Sequence, residues 1–270
     1  MKLSFSTLGS PHYNMGQIID LAVKSGYDGI EIRAVSGTVE IWKLDEFTGD
    51  GLKETAKKVK DAGLEICCVG TSINFSAADK AKQEQALENA KINLEIAKAL
   101  DCKYIRIFGG PVPHMQGFTE TMKWIWEGCG KLCDLTDKTG IVPVLETHDD
   151  FSTSGRITDY LSGAPAGKIG VLWDIQHPLR FGEAIKDTYA VLKDLIMHTH
   201  IKDSNKYSPS GTDFALTGEG TVPIKECVSL LKSGGYNGYL SFEWEKLWHP
   251  EIAEPEVAIP QYAEYMKKLL

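Results

Sequence analysis

Four short segments in the second half of the chain each end an apolar run on groups that can ligate a metal or carry a proton. They are Leu145-Glu146-Thr147-His148, Trp173-Asp174-Ile175-Gln176-His177, His198-Thr199-His200-Ile201-Lys202-Asp203 and Phe242-Glu243-Trp244. Three carboxylates, Glu146, Asp174 and Glu243, and one imidazole, His200, thus hold equivalent places. Burying three carboxylates together is costly unless a cation accompanies them. A divalent ion removes the conflict. Three carboxylates and one neutral imidazole make an oxygen-rich set with room for substrate oxygens, unlike a closed structural zinc site. That set points to Mn²⁺ first, with Mg²⁺, Co²⁺ or Zn²⁺ as the other candidates. Taken singly, each residue has a plainer role: Asp174 can cap a helix, His200 can be a hydrogen-bonded core histidine, and Glu243 can pair with Lys202.

Further polar residues lie close to these four in sequence. His177 follows Asp174 by three positions, outside the apolar run, where it either faces water or bonds a substrate hydroxyl. Lys202 shares the face of His200 in extended chain; it can polarise a carbonyl, hold an acidic group or bridge to a ligating carboxylate. His198, two residues deeper on that face, suits packing or support. Glu31 and Arg33 alternate onto one face of an earlier run, and Arg106 lies inside another. Either arginine can bind a substrate carboxylate or phosphate, or bridge internally to a glutamate. His148 and Arg180 are further pocket candidates, and His12, Trp42 and Trp248 are candidates for the walls. Glu31, Arg33, His148, His177 and Lys202 are expected to point into one mouth with the four ligands.

The elements that must hold these groups recur regularly. Eight β-rich runs begin at Leu3, Gly29, Glu65, Tyr104, Ile141, Ile169, Ile196 and Gly238. Between them lie helical patterns such as MGQIIDLAVKSG, LKETAKKVKDAG, QEQALENAKINLEIAKALD, MKWIWEGCGKLCDLTDKTG and IKECVSLLKSGG, and Ala258 to Leu270 supplies a last helix. Gly26, Gly63, Gly140 and Gly234 stand where a left-handed residue can stop a helix. Strands alternating with helices build a parallel sheet, and eight such units match a closed (β/α)8 barrel of the α/β class, whose chemistry gathers at the C-terminal ends of the strands. An open doubly wound sheet would carry a glycine-rich phosphate loop after its first strand. Leu8-Gly9-Ser10-Pro11 is not one, and without an interdomain linker the chain reads as one domain over 1–270.

Composition narrows the partners. The 270 residues are 43% hydrophobic and 24% charged, ordinary globular usage, and 29 Lys plus Arg against 37 Asp plus Glu give a net charge of −8. That charge, with no basic patch interleaved with aromatics, argues against nucleic acid. No apolar run approaches the roughly 20 residues of a membrane span, and the first residues lack a signal peptide's apolar stretch. Six cysteines without a CxxC pair read as thiols kept reduced, so a cytoplasmic location is expected. A homo-oligomer is left open.

The pieces LSFSTLG, SGYDGIEIR, LETHDDF, WDIQHPLRFGE, HTHIKD, GEG at Gly218 to Gly220, and GGYNGYLSFEWE occur in an order and spacing that resemble the sugar phosphate isomerase/epimerase group of xylose isomerase-like TIM barrels. That group includes D-tagatose 3-epimerase, inosose dehydratase, 3-dehydroshikimate dehydratase and, more distantly, endonuclease IV. The resemblance spans nearly the whole chain. It implies that Glu146, Asp174, His200 and Glu243 ligate the metal, and that Glu146 and Glu243 also form the acid/base pair of an epimerase. Such an enzyme removes a proton next to a carbonyl and returns it elsewhere, which takes two such groups, while the metal stabilises the enediolate. The expected activity is a metal-dependent sugar isomerase or epimerase; the alternative is a dehydratase acting on a keto-sugar, keto-inositol or dehydroshikimate-like compound. Either takes a small carbohydrate or polyol, with His177, Lys202, His148, Arg33 and Arg180 as its binding residues. A three-zinc endonuclease would need more clustered histidines than these seven, and an inactive sugar-binding barrel would not need both glutamates.

Overall fold

A computed structural model describes residues 1–270. Eight parallel strands close into a barrel: β1 Lys2–Ser6, β2 Gly29–Ile32, β3 Glu65–Gly70, β4 Tyr104–Ile107, β5 Val142–Glu146, β6 Gly170–Asp174, β7 Ile196–Ile201 and, after a hairpin of β8 Asp203–Ser208 and β9 Gly211–Ala215, β10 Tyr239–Phe242. Closure is made where β1 pairs with both β2 and β10. The helices are α1 Met15–Ser25, α2 Gly49–Asp61, α3 Lys80–Ala99, α4 Phe118–Thr136, α5 Ser154–Ser162, α6 Gln176–Arg180, α7 Ile185–Leu192, α8 Ile224–Ser233 and α9 Pro255–Lys267. The expected (β/α)8 barrel is therefore present.

Each barrel strand is covered on both faces, which is why the strands read as continuous apolar runs. A cluster of 58 buried apolar residues lies chiefly between sheet and helices. A separate cluster of three, Cys68, Val144 and Leu172, draws on β3, β5 and β6. Val144 shares a pleat face with Glu146, and Leu172 with Asp174, so this small cluster lies on the inner face. The rest of the lumen is polar, and the functional groups occupy it.

Local signals behave as physical chemistry requires at most ends. Asn14 and Gln17 form a reciprocal capping box at the start of α1, and Gly26 ends that helix at φ 70°. At the end of α8 the expectation needs correction: Gly234 is right-handed at φ −82°, and Gly235, at φ 78°, makes the turn. The last helix begins at Pro255, which fills its first turn where no N–H partner is needed, rather than at Ala258.

Candidate metal centre

The C-terminal ends of β5, β6, β7 and β10 bring Glu146, Asp174, His200 and Glu243 together. One donor atom from each lies within 4.8 Å of the others, and all four residues are buried. His200 sits at the centre. Its Nδ1 is 3.1 Å from Glu146 Oε1 and 3.2 Å from Glu243 Oε1, while its Nε2 faces both oxygens of Glu31 at 3.0 and 2.9 Å. With the Nε2 proton donated to Glu31, a neutral His200 would turn its Nδ1 lone pair to a cation among the carboxylates, the arrangement that orients a ligating imidazole; without a cation Nδ1 carries a proton towards Glu146. Thr147 fastens the neighbouring strand ends: its hydroxyl donates to the Asp174 carbonyl and accepts from the Asp174 N–H, both at 3.0 Å.

The plainer roles turn out to be compatible with a site, because each carboxylate has two oxygens. Asp174 Oδ1 accepts the N–H groups of Gln176 and His177 at the start of α6, at 2.8 and 3.3 Å, which leaves Oδ2 turned to the cluster. Glu243 Oε2 accepts from Lys202 Nζ at 2.6 Å while Oε1 faces His200. Two buried oxygens, Glu146 Oε2 and Asp174 Oδ2, have no aligned hydrogen bond. Arg106 pairs with Glu146 Oε2 at 3.1 Å, and Asp174 Oδ2 faces Lys202 at 2.7 Å and His177 at 3.6 Å. These carboxylate oxygens converge with His200 Nδ1, and once a cation displaces the Nδ1 proton the set fits a divalent ion.

The chain supplies part of the positive charge itself, so burial of three carboxylates does not by itself demand a metal. Arg106 reaches Glu146 and Glu243, stacks over the Phe108 ring and donates to the Thr71 carbonyl. Lys202 contacts Asp174, Glu243 and Glu245 at 2.7, 2.6 and 2.7 Å. Burial opposes ionisation of Glu243, but His200 and Lys202 outweigh it and hold the carboxyl well below its usual range. Burial pushes Asp174 up to about 6 despite Lys202, with repulsion from Glu243 and Glu146 added. Burial disfavours a charged His200, yet Glu243, Glu31 and Glu146 raise it well above an ordinary histidine.

A cavity of about 360 Å³ opens over this cluster, lined by Leu8, Arg33, Arg106, Phe108, His148, Glu243, Glu245 and Trp248. Two larger cavities, about 460 and 400 Å³, lie against the β8–β9 hairpin and the turn after β5, and neither is lined by any of the four clustered residues. Arg33 and His148 thus line the mouth as expected. His177 and Lys202 flank Asp174 Oδ2 at 3.6 and 2.7 Å, so they are neighbours rather than occupants of opposite rims. His177 is buried on α6, not exposed in a loop, and its ring lies 4.5 Å from that of His148. Burial, then Lys202 and His148, lower its pKa well below the usual value and keep it neutral.

Two expectations are corrected. Glu31 does not point into the mouth: it is fully buried beneath the cluster, held by His198 at 2.7 Å, by His200 and by Ser241 at 3.2 Å. Arg180 does not line the cavity, because its guanidinium grips the β8–β9 hairpin through the Ser208 and Pro209 carbonyls and touches His177 Nδ1 at 3.3 Å. Of the proposed walls, Trp248 lines the cavity; Trp42 and His12 do not.

With the barrel and the four-residue cluster in view, comparison with known proteins is informative. Residues 19–269 match the family described as xylose isomerase-like TIM barrel. The chain belongs to that family. Among curated members it is similar to fructoselysine 3-epimerase of Escherichia coli O157:H7, with 24% identity over 284 residues, covering 100% of this chain and 98% of that protein. Among solved structures it resembles the probable 3-DHS dehydratase AsbF from Bacillus anthracis, with a TM-score of 0.82, 19% identity and 99% of each chain covered. It also resembles the IOLI protein with a bound zinc atom, with a TM-score of 0.83, 20% identity and 100% and 98% of the two chains covered. Of these three, one is named an epimerase and one a probable dehydratase.

Within this xylose isomerase-like barrel, several contributors escaped the sequence reading. Glu245 is one; its alternation with Glu243 in Phe242-Glu243-Trp244-Glu245 was the available signal. Leu8 and Phe108, which line the cavity, carried none. The Gly218 to Gly220 segment proves structural: Asp203 Oδ2 accepts from the Gly218 and Gly220 N–H groups at 2.8 and 3.1 Å, which anchors the chain just past Lys202. A Cβ at Gly220 would lie 2.2 Å from Asp203 Oδ1, so that turn requires glycine.

Proposed function

We propose that the chain is a divalent-metal-dependent sugar isomerase or epimerase, built as one domain over residues 1–270, that moves a proton between positions next to a carbonyl of a small carbohydrate or polyol. The observation that carries this reading is the convergence of Glu146, Asp174, His200 and Glu243, one donor atom of each lying within 4.8 Å of the others. A cation held there, Mn²⁺ by the oxygen-rich donor set, supplies Lewis-acid stabilisation of the negative charge that develops on the substrate's oxygens. Glu146 and Glu243 hold and return the proton. They project from β5 and β10 and both reach His200 Nδ1, at 3.1 and 3.2 Å; in this reading one takes a proton from one face of a carbon and the other delivers to the opposite face. Arg106 favours the ionised form of Glu146 against the effect of burial, which suits the group that takes the proton; the group that delivers must start protonated and ends as the carboxylate, the state His200 and Lys202 favour for Glu243 against burial. His148 and Arg33 contact the substrate from the cavity wall, while Lys202 and His177 keep Asp174 in place.

A dehydratase is the second reading, and His148 is the observation that favours it. Burial lowers its pKa, but Asp149 at 2.9 Å and the charge of Glu146 raise it overall, which favours an imidazole on the cavity wall that can donate a proton as a hydroxyl leaves as water. The six free, buried thiols suit a reducing cytoplasm. The test is incubation of the Mn²⁺-loaded protein with ketoses and inososes in D₂O. Deuterium on carbon next to the carbonyl is expected, with an epimer as product if the first reading holds and an unsaturated product if the second does. Metal-loaded protein that incorporates no deuterium into any of them refutes proton abstraction altogether.

A further inference from the structure

We propose that the Arg33 guanidinium receives a carboxylate of the substrate, which makes that substrate a keto-sugar acid rather than a neutral sugar. The inference rests on the reading of the site as one that abstracts a proton from a carbohydrate. Among the basic residues buried around the barrel mouth, Arg33 stands apart. Arg106 is paired with Glu146 and Glu243, Lys202 with Asp174, Glu243 and Glu245, and Lys246 with Glu254. Arg33 is 8% exposed, yet its only side-chain partners are neutral: Ser72 Oγ at 2.8 Å and, at the limit of a hydrogen bond, the Gly70 carbonyl at 3.5 Å. No carboxylate of this chain comes within ion-pair distance. Leaving a buried cation without an anion is costly.

The chain nevertheless holds Arg33 firmly in that place. Its backbone N–H and that of Ala34 both donate to Thr7 Oγ1, at 2.8 and 3.0 Å. Gly70 leaves space for its stem, since a Cβ there would lie 3.2 Å from Arg33 Cδ. Burial and repulsion by Arg106 bring Arg33 down to about 9, still charged at neutral pH, and the guanidinium borders the cavity that also exposes Glu243. A guanidinium with free N–H groups presents a planar fork that matches a carboxylate through two parallel hydrogen bonds. A phosphate dianion fits less well: only one basic group is unpaired, and Glu243 and Glu245 face the same space. Anchoring the acid at Arg33 leaves the polyol and carbonyl to reach the four clustered residues.

The test pairs neutral ketoses with their acids: D-fructose with D-fructuronate, and D-tagatose with D-tagaturonate, plus D-fructose 6-phosphate. Calorimetry on Mn²⁺-loaded protein should show at least one uronate binding ~10-fold or more tightly than its neutral parent. Arg33→Met should weaken that uronate by ~10²-fold, the range of a charge-assisted hydrogen-bonded pair, and its neutral parent far less. Arg33→Lys, which keeps the charge but not the fork, should recover only part of the loss and serves alone if the methionine variant does not fold. Equal affinity for acids and parents, tighter binding of the phosphate, or an equal loss for acid and parent in Arg33→Met each overturns the proposal. Deuterium uptake is followed in the same samples: its absence from every ketose counts against the isomerase reading, while the affinity ratios still decide the role of Arg33.

Discussion

Replacing Lys202 by methionine separates the chain's own charge compensation from that of a metal. The ammonium is 1% exposed and touches carboxylate oxygens of Asp174, Glu243 and Glu245 at 2.7, 2.6 and 2.7 Å. Methionine keeps the length of the stem and removes the charge, leaving Asp174 and Glu243 buried against each other. Breaking a buried pair from one side costs about 3–5 kcal/mol. At an unfolding entropy of about 2.1 cal/mol/K per residue, a chain of 270 residues has about 0.57 kcal/mol/K, so Tm should fall by roughly 5–9 °C in EDTA at pH 7. Burial lowers the pKa of Lys202, but Asp174, Glu243 and Glu245 together raise it well above the unfolded value. Its contribution is therefore complete below the unfolded pKa and is lost as pH rises through the folded one, so pH 7 shows all of it. Lys202 also restrains Asp174, whose pKa of about 6 would rise further without it; at pH 5 the variant can protonate Asp174 and its deficit should shrink. Saturating Mn²⁺, by restoring two positive charges to the same carboxylates, should stabilise Lys202→Met more than the parent protein. Differential scanning calorimetry with EDTA or Mn²⁺ reads all of this. A variant within about 2 °C of the parent in EDTA, or one that Mn²⁺ stabilises no more than the parent, refutes the charge argument.

Glu146→Gln and Glu243→Gln keep a ligating oxygen but no base; each should lower turnover by at least ~10²-fold with Mn²⁺ content by elemental analysis little changed, and full activity in either would leave that glutamate a ligand only. Glu31→Gln keeps a hydrogen bond to His200 but loses the carboxylate behind it, so Mn²⁺ affinity by calorimetry should fall ~10–100-fold; unaltered affinity would sink the orienting role. All six thiols are buried, and burial raises each one's pKa, to about 12 for Cys102 and Cys129 and about 11 for Cys133. Their protonated forms favour the folded state, fully below the unfolded value near 9 and progressively less as pH rises towards the folded values. Stability should therefore decline as pH rises above about 9; Tm followed by circular dichroism should fall between about pH 9 and about pH 11, and a Tm unchanged over that range would contradict it.

The barrel was legible because its strands are buried on both faces and so announce themselves as apolar runs; most observed starts fall within a residue of the expected ones, as at Glu65, Tyr104 and Ile196. What escaped lacked such a pattern. Helices α5 and α7 have nine and eight residues, too few turns for a periodic stripe to stand out. The β8–β9 hairpin, Asp203–Ser208 and Gly211–Ala215, is polar and half-exposed, with serines and an asparagine where a strand signal would need branched or aromatic residues. Helix α6 carries Pro178 within five residues and is started by the Asp174 carboxylate, a capping role visible in sequence only as an alternative to ligation.

The depth of each side chain was the harder part. Alternation places Glu31 and Arg33 on one face of β2, and it cannot say that one ends beneath His200 while the other borders the cavity. A residue two positions further along a strand sits ~6.6 Å on along that strand, roughly 5 Å higher in a barrel of tilted strands, and in a lumen this narrow that step separates support from contact. The same step orders β7, where His198 meets Glu31, His200 meets the carboxylates and Lys202 reaches the rim. Likewise, Arg33, Arg106 and Lys202 are three interchangeable positive charges in sequence. Only the pairing distances show that two are neutralised by the chain, leaving one guanidinium without an anion, and that asymmetry gives the cavity a preference in charge that its two glutamates and two arginines, simply counted, would not reveal.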